Sequence, residues 1–283
     1  VMAGRTSATD FLDFARSFQP ETDLDVWTVL SGCLSGLDKL VEGEAKLQYK
    51  AAVRDLAQPA LDRLGWEPSD SNSSRDLELR GLFIRLLANV GDDDLALKNA
   101  GDLHDSYLVD AGSVEPDIAA AATGIVASKG DSAQYEVFLD KHHNPSTPQE
   151  ERRYQSALSA FPCEAEIDRT MAMTLDGTIR TQDAPYLLAV CMRNKEQGFR
   201  AWEFVKSNWD KINKDFPANS IVRMLSGVTS LSKPEQAADV IAFFDDHEVP
   251  QGQLTLQQTL EKLRVNVALR ERESGRFGES LTS

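Results

Sequence analysis

The chain has 283 residues, with 30 Lys+Arg against 45 Asp+Glu and a formal charge of −15. That acidic excess argues against nucleic acid as a partner, because binding it needs basic surface to displace phosphate counterions, and equally against an anionic membrane surface. Hydrophobic residues make up 41%, enough for a packed core, while no apolar run approaches the roughly 18–20 residues of a membrane span.

Helical spacing begins with Phe11, Phe14, Ala15 and Phe18, with Ser7 or Thr9 as the cap. Leu24, Trp27, Leu30, Leu34, Leu37 and Val41 continue the 3–4 period behind Thr22 and Asp23. Leu47, Val53, Leu56, Leu61 and Leu64 mark a third helix, with Gly65 at its C-terminal cap and a kink or break expected at Pro59. The polar run 67–74 reads as a loop. The pattern resumes through Leu77, Arg80, Phe83, Ile84, Leu87 and Val90, then reopens at Asp92-Asp93-Asp94 after Gly91. Pro116 fits the first turn of an alanine-rich helix, and Asp131 caps the next. Thr147-Pro148-Gln149-Glu150 and Ser232-Lys233-Pro234-Glu235 both read as capping boxes, the second with Ser232 as the cap.

In the second half, helices are expected at Cys163–Leu175, Thr181–Arg193, Glu196–Ile212, Ser220–Val228, Pro234–Phe244 and Leu254–Arg272. No sustained period-2 alternation occurs. About fourteen helices joined by short polar loops predict an all-α chain. The architecture expected is a superhelix of antiparallel helix pairs, a HEAT/ARM-like solenoid with degenerate repeats, with another all-α arrangement as the alternative.

Chemistry is sparse. A zinc-peptidase helix needs two His one turn apart with a Glu between. His247-Glu248 lacks the second His, and Pro250 two residues on would end a helix. His142-His143 point to different sides of a helix and suit its C-terminus, where imidazoles favour the dipole. Asp92-Asp93-Asp94 has the charge of a calcium loop but not its alternating ligands or terminal Glu. No GxSxG elbow, phosphate loop or GxGxxG is present. Cys33, Cys163 and Cys191 form no CxxC, which favours a reducing compartment, the cytoplasm. Their neighbours Leu34, Ala165 and Val190 predict buried structural thiols. Asn72-Ser73-Ser74 matches a glycosylation sequon at the level expected by chance. Trp202, Val205 and Trp209 share a helical face and are expected to anchor a core.

The order of residues says more. Arg180-Thr181-Gln182-Asp183, Ala201-Trp202-Glu203-Phe204-Val205-Lys206-Ser207-Asn208-Trp209, Val228-Thr229, Leu231-Ser232, Ala242-Phe243-Phe244, Leu260-Glu261-Lys262 and Asn266-Val267 follow one another at specific spacing. Asp25-Val26-Trp27 after Glu21, Leu64-Gly65-Trp66, and Leu79-Arg80 leading Gly81-Leu82-Phe83 extend the pattern to the first half. Together they resemble the C-terminal helical domain of the M1 zinc aminopeptidases, the group of aminopeptidase N and the endoplasmic-reticulum aminopeptidases.

The resemblance implies that residues 1–283 are a single C-terminal domain cut from a larger enzyme, in keeping with Val1 in place of an initiating Met. The implied role is noncatalytic: covering the active site and shaping the cavity in which peptides lose their N-terminal residue. This chain then has no catalytic residue, metal ligand or cofactor of its own. The zinc belongs to the parent's catalytic domain, and the partners are that domain and the peptide substrate. Arg223, in Ile221-Val222-Arg223-Met224-Leu225, matches a position whose Arg reaches toward the cavity, where a guanidinium can meet a carboxylate; a salt bridge is the alternative. Gln182 and Asp183 join it as substrate-facing candidates, although a helix N-terminal device, with Asp183 near the first turn favouring the dipole, is the preferred reading of that pair. A free-standing helical-repeat scaffold that binds proteins is the alternative function.

Overall fold

The computed structural model describes residues 1–69, 71–249 and 252–283. Among them lie fifteen α-helices and one 3-10 helix, and no strand. The all-α expectation holds. Contacts divide the chain into two compact units, Val1–Val126 with Glu271–Ser283, and Ala127–Arg270.

The first unit holds α1 (Ala8–Arg16), α2 (Leu24–Asp38), α3 (Gly43–Leu64), α4 (Ser74–Asn89), α5 (Asp94–Val109), most of α6 (Pro116–Lys129) and the last turns of α15 (Gln253–Thr282). Short polar side chains start α1, α2, α4 and α5 by satisfying N–H groups that lack intrahelical partners. Ser7 and Asp10 form a reciprocal capping box, as do Ser73 and Asp76, while Asp23 and Asp93 cap α2 and α5. The core sets Trp27 edge-on to Phe83 at 4.6 Å and Tyr49 edge-on to Phe277 at 5.7 Å. Tyr49 donates its buried hydroxyl to the Leu34 carbonyl at 2.7 Å.

Of the kink or break expected at Pro59, the break does not occur: α3 runs through it. Proline cannot donate to the carbonyl four residues back, but that carbonyl, on Asp55, accepts from Gln19 Nε2 at 3.0 Å. The helix then stops at Gly65, whose φ of 73° favours glycine. The fully buried Arg80 closes this end. Its Nε donates to the Gly65 carbonyl, and its Nη2 to the Leu64 carbonyl and to Asn72 Oδ1, all within 2.9 Å. A cation on the last carbonyls also suits the helix dipole.

The second unit holds α7 (Ser132–His143), α8 (Pro148–Leu158), α9 (Glu164–Ala172), α10 (Ala184–Cys191), α11 (Gly198–Ser207), α12 (Trp209–Asp215), α13 (Ala218–Met224), a 3-10 helix (Leu225–Ser230), α14 (Pro234–Asp246) and the first part of α15. One row of helices, α7, α9, α11 and α14, is linked by charge. Arg169 pairs with Glu136, and Arg200 holds Asp168 at 2.7 Å and Glu164 at 2.9 Å. Asp239 accepts from Trp202 Nε1 at 2.6 Å and pairs with Lys206 at 2.7 Å. Trp202 and Trp209 are buried, as expected, but on two helices, α11 and α12, rather than on one helical face, and both pack edge-on against Phe243.

A second row, α8, α10 and α13, packs beside the first. Gly227 of the 3-10 helix lets it approach α10 closely, since a Cβ there would lie 2.7 Å from the Ala189 carbonyl oxygen.

Several helix bounds differ from expectation for local reasons. The helix expected over 196–212 is broken at Asn208, whose backbone leaves helical geometry and whose Nδ2 bonds the Phe204 carbonyl. Its start is delayed because Asn194 Oδ1 takes the N–H groups of Glu196 and Gln197. Thr147 caps α8, but Glu150 accepts from the Ser146 N–H at 2.6 Å rather than closing a box with Thr147. For α14 the cap is Lys233, with Pro234 at the first helical position, so the box expected from Ser232 is absent; Ser232 Oγ accepts from Arg270 instead.

Candidate functional site

Along α8 the side chains of Arg152, Gln155 and Ser156 share one face, three and four residues apart. Along α10 Asp183, Tyr186, Leu187 and Val190 do the same. These seven residues line a cleft of about 400 Å³ in the second unit. Leu187 is buried and Val190 half-buried, so they form an apolar floor. Tyr186, 47% exposed, lies open at the surface.

Asp183 occupies the N-cap position of α10, yet its side chain caps no N–H group. Its carboxylate has no hydrogen bond or ion pair among the described residues, and neither does the guanidinium of Arg152. The neighbouring charges are already matched: Arg180 holds Glu151 at 3.2 Å. Beyond the α10 C-terminus, Arg193 donates to Ser226 Oγ at 2.8 Å.

Of the three site residues expected from sequence, only Asp183 lines the cleft. Gln182 is the exposed residue just before it. Arg223 is exposed on α13, while Ile221, Val222, Met224 and Leu225 around it are buried, so it projects to an accessible face as its spacing predicts. No ion pair holds it among the described residues. Arg152, Gln155, Ser156 and Tyr186 are additions from the fold. The one sequence signal for them was a tyrosine in the otherwise apolar run from Pro185 to Val190.

The other polar motifs resolve into structure. His142 is buried at the end of α7, and burial holds its pKa below the ordinary value of 6.5. His247 bonds the Phe243 carbonyl at 2.8 Å and stacks on the Phe243 ring, beyond the end of α14; Pro250 lies outside the described residues. Asp93 caps α5, and Asp92 pairs with Lys50 at 2.6 Å. Among the described residues no group of three His, Cys, Asp or Glu side chains is placed to hold a metal, and no helix is long and apolar enough to cross a membrane.

The cysteine expectation needs correction. Cys191 is buried, with its thiol pushed up to about 12 by burial, but Cys33 and Cys163 are exposed. Cys163 stands at the N-cap of α9, outside the helix whose apolar face was taken to cover it.

Residues 1–265 match the ERAP1-like C-terminal domain. The chain is 28% identical over 280 residues to aminopeptidase M1 of Arabidopsis thaliana, covering 94% of this chain and 31% of that protein. It is 26% identical over 272 residues to the alanine/arginine aminopeptidase of Saccharomyces cerevisiae, with 93% and 31% covered. Against the human endoplasmic reticulum aminopeptidase 2 it is 25% identical over 278 residues, with 94% and 28% covered. The chain thus spans about a third of the length of these relatives. By the family match and the helical architecture together, this chain belongs to the ERAP1-like C-terminal domain family.

Proposed function

We propose that this chain serves as the noncatalytic helical part of a zinc-dependent aminopeptidase, packed with a catalytic domain in one longer protein, and that it bounds the space in which peptide meets the active site. The observation that carries the reading is the family match across residues 1–265. Among the described residues no group is placed to hold the zinc that the family implies, and in this reading its ligands belong to the catalytic domain. A reducing compartment, the cytoplasm, suits the free cysteines.

Within that reading, the row of α8, α10 and α13 is the substrate side. Arg223 supports it, as an exposed guanidinium without an ion pair among the described residues, available to a peptide carboxylate or to the catalytic domain. Gln182 and Asp183 stand at the start of the neighbouring helix. The test is Arg223→Ala in the full-length enzyme. Loss of a charged hydrogen bond to substrate lowers kcat/KM for peptides roughly 10-fold or more, with turnover of a single-residue amide and the melting temperature nearly unchanged. Equal losses on both substrates make Arg223 architectural. The 283-residue chain alone is expected to release no amino acid from a chromogenic aminoacyl substrate, with or without added zinc; zinc-dependent turnover by the pure chain would overturn the reading.

A further inference from the structure

The cleft between α8 and α10 differs from the ion-paired row of α7, α9, α11 and α14. On the opposite row, Glu136, Asp168 and Asp239 are matched across helices to Arg169, Arg200 and Lys206. In the cleft an acid and a base line the same cavity, and neither Asp183 nor Arg152 has an ionic partner among the described residues. The same cavity is lined by an apolar floor of Leu187 and Val190 and by an exposed tyrosine ring. A ligand complementary to this set needs a cation for Asp183, an anion for Arg152, and an aliphatic stem to cover the floor. An arginine or lysine side chain supplies the stem and the cation, and a cation beside Tyr186 gains from the ring face as well. About 400 Å³ is room for one long side chain and the backbone that carries it.

We infer that the α8–α10 cleft is a peptide subsite selective for a basic side chain that has a carboxylate close by. Asp183 and Tyr186 hold the cation, and Arg152 takes the carboxylate. The inference rests on the reading above only in taking a peptide as the ligand. The carboxylate has two possible sources, the free C-terminus of a peptide ending in Lys or Arg, or an acidic side chain next to an internal basic residue.

The experiment is calorimetric titration of the 283-residue chain at low ionic strength with short alanine-based peptides. One set ends in Lys, one in Lys-amide and one in norleucine, which keeps the stem and drops the charge; a fourth set carries an internal Glu-Lys pair and an amidated end. The expected result is saturable binding, with Lys preferred over norleucine by about 10-fold, as one charge-assisted contact at a partly open site gives. Asp183→Asn removes that preference without lowering the melting temperature, since the carboxylate caps nothing. Arg152→Gln removes the preference for the carboxylate-bearing peptide. Preference for the free acid over the amide identifies a chain end, and tight binding of the amidated Glu-Lys peptide identifies an internal pair. Equal affinity for Lys and norleucine, no binding by any set, or a preference that survives Asp183→Asn overturns the inference. This outcome is separable from the Arg223 test, because it is read as binding to the chain alone through residues on other helices.

Discussion

Trp202 fills the space between α11 and α14 with its ring and donates its indole N–H to Asp239. Trp202→Ala should therefore destabilise the chain by about 3–5 kcal/mol, the usual range for emptying a large aromatic site. Urea unfolding measures it, and an unchanged midpoint would contradict the burial. Trp202→Phe keeps much of the packing and loses the N–H, so it should cost less.

His142 makes the pH-dependent counterpart. Its pKa is lowered in the fold, chiefly by burial, so the unfolded chain binds the proton more readily. Stability conferred by the neutral ring is whole above pH 6.5 and falls as pH drops through that value toward the lower folded pKa. His142→Gln should flatten that part of the stability–pH curve; an identical slope in both proteins would refute the assignment. Among thiols, Cys33 and Cys163 should react with a maleimide in the native chain, and Cys191 only on unfolding. The burial of the two tryptophans was legible from their size and apolar neighbours, but one shared helical face was not, because the helix breaks at Asn208 between α11 and α12. The exposed cysteines were not, because an apolar neighbour in sequence does not fix which side of a helix, or which end, a residue takes.

At the scale of elements, the 3–4 period announced almost every helix, and misjudged those that end through captured backbone groups. Pro59 reads as a kink or break until Gln19, far earlier in the chain, is seen to satisfy the Asp55 carbonyl. Asn194 likewise withholds the N–H groups of Glu196 and Gln197 from an earlier helix start. Such long-range and loop-borne partners have no periodic signature. Close approach of elements is equally silent in sequence. Gly227→Ala would place a methyl group 2.7 Å from the Ala189 carbonyl oxygen and 2.9 Å from Met192. We expect a loss of about 1–3 kcal/mol from that overpacking, read as a lower thermal midpoint; a midpoint equal to the parent's would mean the 3-10 helix moves away freely.

At the scale of the molecule, the site was only partly legible. Arg223 and Gln182-Asp183 entered through resemblance, and Asp183 alone reached the cleft. Arg152, Gln155 and Ser156 belong to a polar helix face of the kind any solvated helix carries, and only the apposition of α10 makes it a wall. The first unit depends on residues far apart in the chain. Glu273 is fully buried and accepts the Ala8 N–H at 2.9 Å, and Arg272 holds the Val1 carbonyl at 2.8 Å. Burial pushes the Glu273 carboxyl up, but Arg276, the Ala8 N–H and Arg272 outweigh it and hold it below the usual range.

Ala8 and Glu273 are 265 positions apart, and this separation has a consequence for how the protein is born. A ribosome emits the chain from one end, so α1 must wait with the start of its helix uncapped by Glu273 while the whole second unit is made. That unit is one continuous stretch and can close as it emerges. The first is completed only when Phe277 arrives to meet Tyr49, across a loop whose closure costs entropy and time. Until then the nascent chain carries an unfinished core, and holding it open without aggregation falls to whatever chaperones attend translation.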